Sequence, residues 1–104
     1  LIEDPDTPTG TWDHWAIAGI DPATRGIEGG KIPAGAVEGR NDFGEDGYGG
    51  PEPPPGDGMH RYFFNLYALK ESSGLSAGAP ADELRRAVVS KELARGVLIG
   101  TFQR

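Results

Sequence analysis

Residues 60–69, HRYFFNLYAL, alternate His60, Tyr62, Phe64, Leu66 and Ala68 against Arg61, Phe63, Asn65, Tyr67 and Leu69. Successive side chains of a β-strand point to opposite faces, so this spacing puts aromatic rings on both sides of a sheet. Rings on both faces need cover on both, which predicts a strand in the interior of a sheet. Directly before it, PEPPPGDGM sets four prolines in five residues, Pro51, Pro53, Pro54 and Pro55, ahead of one of only two histidines, His60. Proline confines φ to one narrow range, so the run reads as a rigid wall that holds a small ligand against His60. The competing reading is an exposed polyproline II segment for the aromatic groove of another protein. Gly56, Gly58 and the strand that follows favour a tightly packed internal turn.

The rest of the chain is organised around short elements. WDHWAIAGI, residues 12–20, is rich in aromatic and β-branched side chains on both faces and reads as a strand covered on both sides. Residues 21–50 form a long irregular connection with nine glycines, a length at which loops tend to be functional. After SSGLSAGAP, which reads as a loop, ADELRRAVVSKELARG at 81–96 has acids in its first turn and basic residues late. Leu84, Ala87, Val88 and Ala94 fall at helical spacing and Gly96 stands as a stop, which together predict one amphipathic helix. VLIGTF then returns as a short strand. LIEDPD at the start looks like the end of a strand already under way, without an initiator Met or a signal-peptide pattern. The expectation is one domain over 1–104, incomplete at its N-terminus. A chain of this length buries only about two-thirds of its unfolded surface, so a missing segment would leave a sheet edge and a core face open. An N-terminal segment, a second chain or a homodimer is expected to complete the sheet.

Composition removes several functions. The formal charge is −6, and the ten basic residues are scattered apart from Arg85, Arg86, Lys91 and Arg95. Nucleic-acid binding relies on clustered phosphate-neutralising cations, so none is expected. No apolar run approaches the ~20 residues needed to span a bilayer. The absence of cysteine excludes a disulfide framework and a thiolate metal site. The expected location is cytoplasmic.

Three polar segments carry the chemistry: EDPDTP, WDHW and GDGMHRY. Each has a plain structural reading. Asp–Pro–Asp forms Asx-type turns without any functional role, and a histidine between aromatic residues is commonly a satisfied core side chain. For His60 that reading is weaker, because rigid scaffolds present binding groups where a loop enters a strand. Ser72, Ser73, Ser76 and Ser90 lie outside the histidine motifs, so a Ser-His-Asp site has no support.

Taken together, DPDTP, WDHW, RNDFG, GYGGPEPPPGDGMHRYFFNLYAL and the closing GTFQR resemble the phosphatidylethanolamine-binding protein family, also called Raf kinase inhibitor-like proteins, in its bacterial and archaeal branch. The resemblance runs from Leu1 to Arg104. It implies a mainly β fold, an antiparallel Greek-key-type β-sandwich with a C-terminal amphipathic helix, whose N-terminal strands are missing from this chain. It also implies a small pocket at the end of the sheets for phosphate or phosphorylated head groups. Matched by motif, the pocket residues are Asp4, His14, Pro53, Pro54, His60 and Tyr62, with Trp12 bordering the opening. Glu52 departs from the family, standing where members usually carry a small residue, and it sets a carboxylate beside an anion site.

These residue types suit an anion. Imidazoles donate N–H groups and gain full charge when a bound anion raises their pKa. Glycines beside the prolines let backbone N–H groups approach, and the prolines reduce the ordering cost of binding. Asp4 fits if a proton is shared with a monoprotonated phosphate, or if it holds a histidine in place. The expected function is that of a non-enzymatic binding module without cofactor or metal, which engages a phosphate-like ligand and, as the resemblance implies, a kinase or serine protease partner. The alternative is a metal-dependent hydrolase or oxygenase in which Asp4, His14 and His60 form a facial triad. A third reading is purely structural, with the pocket blocked by Glu52.

Overall fold

The computed structural model describes residues 1–29 and 31–104. Among the described residues six strands and one helix follow in chain order: β1 (Ile2–Thr7), β2 (Gly10–Trp15), β3 (Ile17–Ala18), β4 (Val37–Glu38), β5 (His60–Leu69), α1 (Ala81–Lys91) and β6 (Glu92–Phe102). A four-stranded sheet runs β2-β1-β5-β6 and a two-stranded sheet pairs β3 with β4, every pairing antiparallel. This is the mainly β architecture with one helix that the patterning predicts. β5 lies between β1 and β6, as its doubly aromatic pattern requires.

The main sheet has two unlike faces. On one, α1 packs its apolar stripe, Ala81, Leu84 and Val88, against Leu1, Ala16, Ala18 and Leu75, with Tyr67 and Leu69 of β5 alongside. Arg85 ties the helix to the strands: its guanidinium reaches Glu3 of β1 at 2.6 Å and is bonded to Asp13 of β2. The opposite face carries Asp4, Trp12, His14, His60 and Tyr62 at one end. At its other end Leu66 and Leu98 are each 68% exposed.

Two predicted boundaries move. The helix stops at Lys91 instead of reaching Gly96, and Glu92 is already extended at φ −66° and ψ 129°. β6 then pairs with β5 along the whole of β5, from Leu69↔Glu92 to His60↔Phe102. Ladder hydrogen bonds to β5 outweigh the helical propensity of ELAR, which a segment ending in Gly96 holds only weakly. The predicted strand 12–20 divides at Ala16. Its first part joins β1, and its second crosses to β4. The crossing is locked where the Gly39 N–H donates to the Ala16 carbonyl at 2.8 Å. A Cβ at Gly39 would meet the Ala79 carbonyl oxygen at 2.6 Å, so the backbones approach as only glycine allows.

The connection 21–50 is partly organised. Buried Asn41 accepts from the N–H groups of Phe43 and Glu45 through Oδ1 and donates to the Gly47 carbonyl at 3.0 Å through Nδ2. That wheel of bonds turns the loop back so that Phe43 and Gly49 reach β2.

Candidate functional site

β1 and β5 share backbone pairing only at Ile2↔Phe64 and Glu3↔Phe63. Beyond that point the seam is continued by side chains. Asp4, 2% exposed, accepts the Asp6 N–H through Oδ1 at 2.8 Å, the Asx-type bond expected of this sequence, and accepts the His60 Nδ1–H through Oδ2 at 2.6 Å. Two residues on, Asp6 grips Arg61 at 2.8 and 2.7 Å through Nε and Nη2, and accepts its backbone N–H at 2.9 Å. The guanidinium bond holds the Asp6 carboxyl at about 2. The register of β1 against β2 shifts between Asp4 and Thr7, the irregularity that aims the short Asp4 side chain at β5 rather than along the ladder.

His60 is 2% exposed and both of its ring nitrogens meet carboxylate oxygens: Nδ1 that of Asp4 and Nε2 that of Asp57, each at 2.6 Å. An ionised carboxylate only accepts, so two such contacts favour the protonated ring. Its pKa is raised, first by the bond from Asp4 and further by Asp57, against the opposing pull of burial.

His14 sits differently. It is 3% exposed on β2, its Nδ1–H donates to the Gly49 carbonyl at 2.7 Å, and its ring stands edge-on to Phe43 and Tyr62 with centroids 5.3 Å away in both cases. Its Nε2 is left as the atom that changes role with protonation. Trp12 packs edge-on against Phe43 at 5.5 Å, and its buried Nε1–H has no partner among the described residues. An orphaned buried donor is uncommon and marks a place where an acceptor would be favourable. Burial raises the pKa of the Tyr62 hydroxyl, keeping it a neutral donor.

These groups enclose one cavity of about 220 Å³. All seven residues predicted for the site, Asp4, Trp12, His14, Pro53, Pro54, His60 and Tyr62, line it, and so does Glu52. The proline wall forms one side and is closed behind by a turn in which the Asp57 N–H donates to the Pro54 carbonyl at 3.1 Å. Sequence reasoning missed Thr7, Pro8, Thr9 and Phe43, which also line the space, and missed Asp57. The Asp57–His60 spacing of three residues was the available signal, but only the turn geometry shows that the carboxylate folds back onto the ring.

The facial metal triad does not form. Asp4, His14 and His60 border the same cavity, yet both nitrogens of His60 face carboxylates and His14 Nδ1 is committed to Gly49. Among the described residues no three His, Asp or Glu side chains are arranged to hold a metal ion. No helix of the described residues is long and apolar enough to cross a membrane.

Comparison with known proteins bears on this arrangement. The family model described as phosphatidylethanolamine-binding protein matches residues 1–103. The UPF0098 protein PH1269 of Pyrococcus horikoshii is 41% identical over all of this chain and 56% of its own length. A UPF0098 protein of Methanothermobacter thermautotrophicus is also 41% identical, over all of this chain and 71% of its own length. The chain therefore spans a little over half of the first relative and about seven-tenths of the second. Among solved structures, that of Escherichia coli YbcL, described as a new member of the mammalian PEBP family, superposes with a TM-score of 0.87 at 31% identity, over 99% of this chain and 68% of that one.

Proposed function

Because the chain belongs to the phosphatidylethanolamine-binding protein family, we propose that the cavity bordered by His14 and His60 binds a small phosphate-type anion, free or as a phosphorylated head group, and performs no chemistry on it. The observation that carries this reading is the convergence of His14, His60, Trp12 and Tyr62 on one space of about 220 Å³, with the Trp12 Nε1–H left unpartnered among the described residues. Such a volume lies below the usual range for drug-sized ligands. It suits a head group, and an acyl chain would remain outside.

Roles follow from the geometry. His60 has both ring nitrogens on carboxylates, so it fixes Asp4 and the turn at Asp57 and offers no free donor to the ligand. Trp12 and Tyr62 supply neutral donors, and His14 becomes a donor at Nε2 when it takes a second proton. The proline wall is pre-ordered, which lowers the entropy lost on binding. Glu52 at the rim favours ligands that bring a proton or an ammonium group with them. A cytoplasmic setting and engagement of a kinase or serine protease through the same mouth belong to the same proposal.

Calorimetric titration with methyl phosphate and O-phosphoethanolamine between pH 5.5 and 8.5 tests it. Binding is expected at one site and should weaken above pH ~7, where a phosphomonoester with second pKa near 6 has become a dianion. Trp12→Phe should weaken both ligands. Absence of heat with either ligand, or an affinity flat across the pH range, overturns the reading.

A further inference from the structure

The most unusual contact of the site is on its far side. Asp57 does not line the cavity, yet its carboxylate lies 2.6 Å from His60 Nε2. Asp4 and Asp57 together offer His60 two negative charges for one positive. Glu52 adds a third carboxylate at the rim, while His14 holds its Nδ1–H on a backbone carbonyl. The other charged neighbour of the seam, Asp6, is matched by Arg61. Without Asp57, His60 would present a free Nε2–H and, paired with Asp4 alone, a neutral cluster to whatever enters. With it, the ring has no free donor and its field is cancelled twice.

A dianion in the cavity would then meet the carboxylates of Asp4 and Glu52 with no Lys or Arg in the lining to offset its second charge, Arg104 acting on Tyr62 from outside it. A monoanion needs only the neutral donors of Trp12 and Tyr62. Building on the anion reading of the pocket, we propose that Asp57 is a specificity-determining residue: by occupying His60 Nε2 it makes the pocket select singly charged phosphate-type ligands over doubly charged ones.

The local structure fits a side chain kept for this contact rather than for folding. Asp57 lies in a turn between Gly56 and Gly58, at φ +83° and +84°, where a Cβ on either glycine would meet nothing within 4 Å. Its carboxylate is 27% exposed, whereas Asp4 at the other nitrogen is 3% exposed and fixed in β1. Replacing it leaves the sheet and the core cluster untouched.

The test compares the whole chain with Asp57→Asn and Asp57→Ala. Dimethyl phosphate serves as a ligand that is a monoanion at every working pH, and methyl phosphate at pH 8.5 as a dianion. The unmodified chain should prefer dimethyl phosphate. In both variants the preference should narrow by about tenfold, through tighter methyl phosphate binding, the scale of one unscreened charge at several ångströms in a partly solvated site. NMR titration of the His60 ring reports the clamp without any ligand, and its midpoint should fall in both variants. If both esters bind with the same ratio in all three proteins, or if the His60 midpoint does not move, the role of Asp57 is refuted while the anion site stands. If neither ester binds any of them, the anion site falls and this inference with it.

Discussion

Asp4→Asn removes one negative charge from the centre of the site without changing its shape. Asn keeps one acceptor, Oδ1, for the Asp6 N–H and sets a donor, Nδ2, where Oδ2 accepted the His60 Nδ1–H, so the change removes the charge together with that bond. Asp4 and His60 side chains are each 3% exposed, so solvent screens the pair little. Truncating one partner of a fully buried ion pair costs about 3–5 kcal/mol when the survivor is left alone. Here Asp57 still holds His60 Nε2–H, and a His60 that gives up its Nδ1 proton accepts from the Asn amide instead. The expected loss is therefore nearer the value of a charge-assisted bond, about 2 kcal/mol, or about 8–16 °C in Tm for a domain of this size. The loss also depends on pH. The folded-state pKa of His60 is raised above its ordinary 6.5, so its contribution is fully present below the ordinary value and is lost as pH rises through the folded one. Urea denaturation of both proteins from pH 6 to 9.5, with the His60 ring titration read by NMR in the same samples, should show the largest difference at pH 6 and a narrowing across the His60 midpoint. A difference below about 0.5 kcal/mol at pH 6, the size of an ordinary surface substitution, or one that stays constant across that midpoint, refutes the account of His60 as a clamped imidazolium.

Two further outcomes follow from the scaffold. Arg85→Met keeps the apolar stem but strands the largely buried Asp13 carboxylate, and should lower stability by about 2–3 kcal/mol by chemical denaturation; a loss under about 0.5 kcal/mol would mean that the Arg85 bonds to Glu3 and Asp13 contribute nothing net. Gly39→Ala should cost about 1–3 kcal/mol, because its Cβ would lie 2.6 Å from a backbone oxygen; an unchanged Tm would show that the β3–β4 crossing can open freely.

The alternation in HRYFFNLYAL was enough to place β5 inside a sheet, because period-two patterning is a local property, although Phe64 and Leu66 stay exposed on one face. The same holds for the start of α1, where the acids of its first turn and Leu84 and Val88 on one stripe are read directly from neighbouring residues. The end of α1 was not legible. ELAR has helical spacing, and it becomes strand only because β5 offers a hydrogen-bonding edge along its full length. The split of WDHWAIAGI was hidden for a like reason, since the turn at Ala16 depends on Gly39 and Ala79 arriving from elsewhere in the chain.

At the site the division is similar. The resemblance of its motifs to the family singled out Asp4, Trp12, His14, Pro53, Pro54, His60 and Tyr62, and only the two histidines stand out by scarcity as well. What those residues do to one another lay beyond any such pattern. Asp4 meets His60 across 56 positions, and which His60 nitrogen faces Asp4, which faces Asp57, and that Trp12 Nε1 is left without a partner are consequences of packing. Hydrogen bonds of that kind depend on angles and distances between separate strands, and those are settled only when the strands are docked.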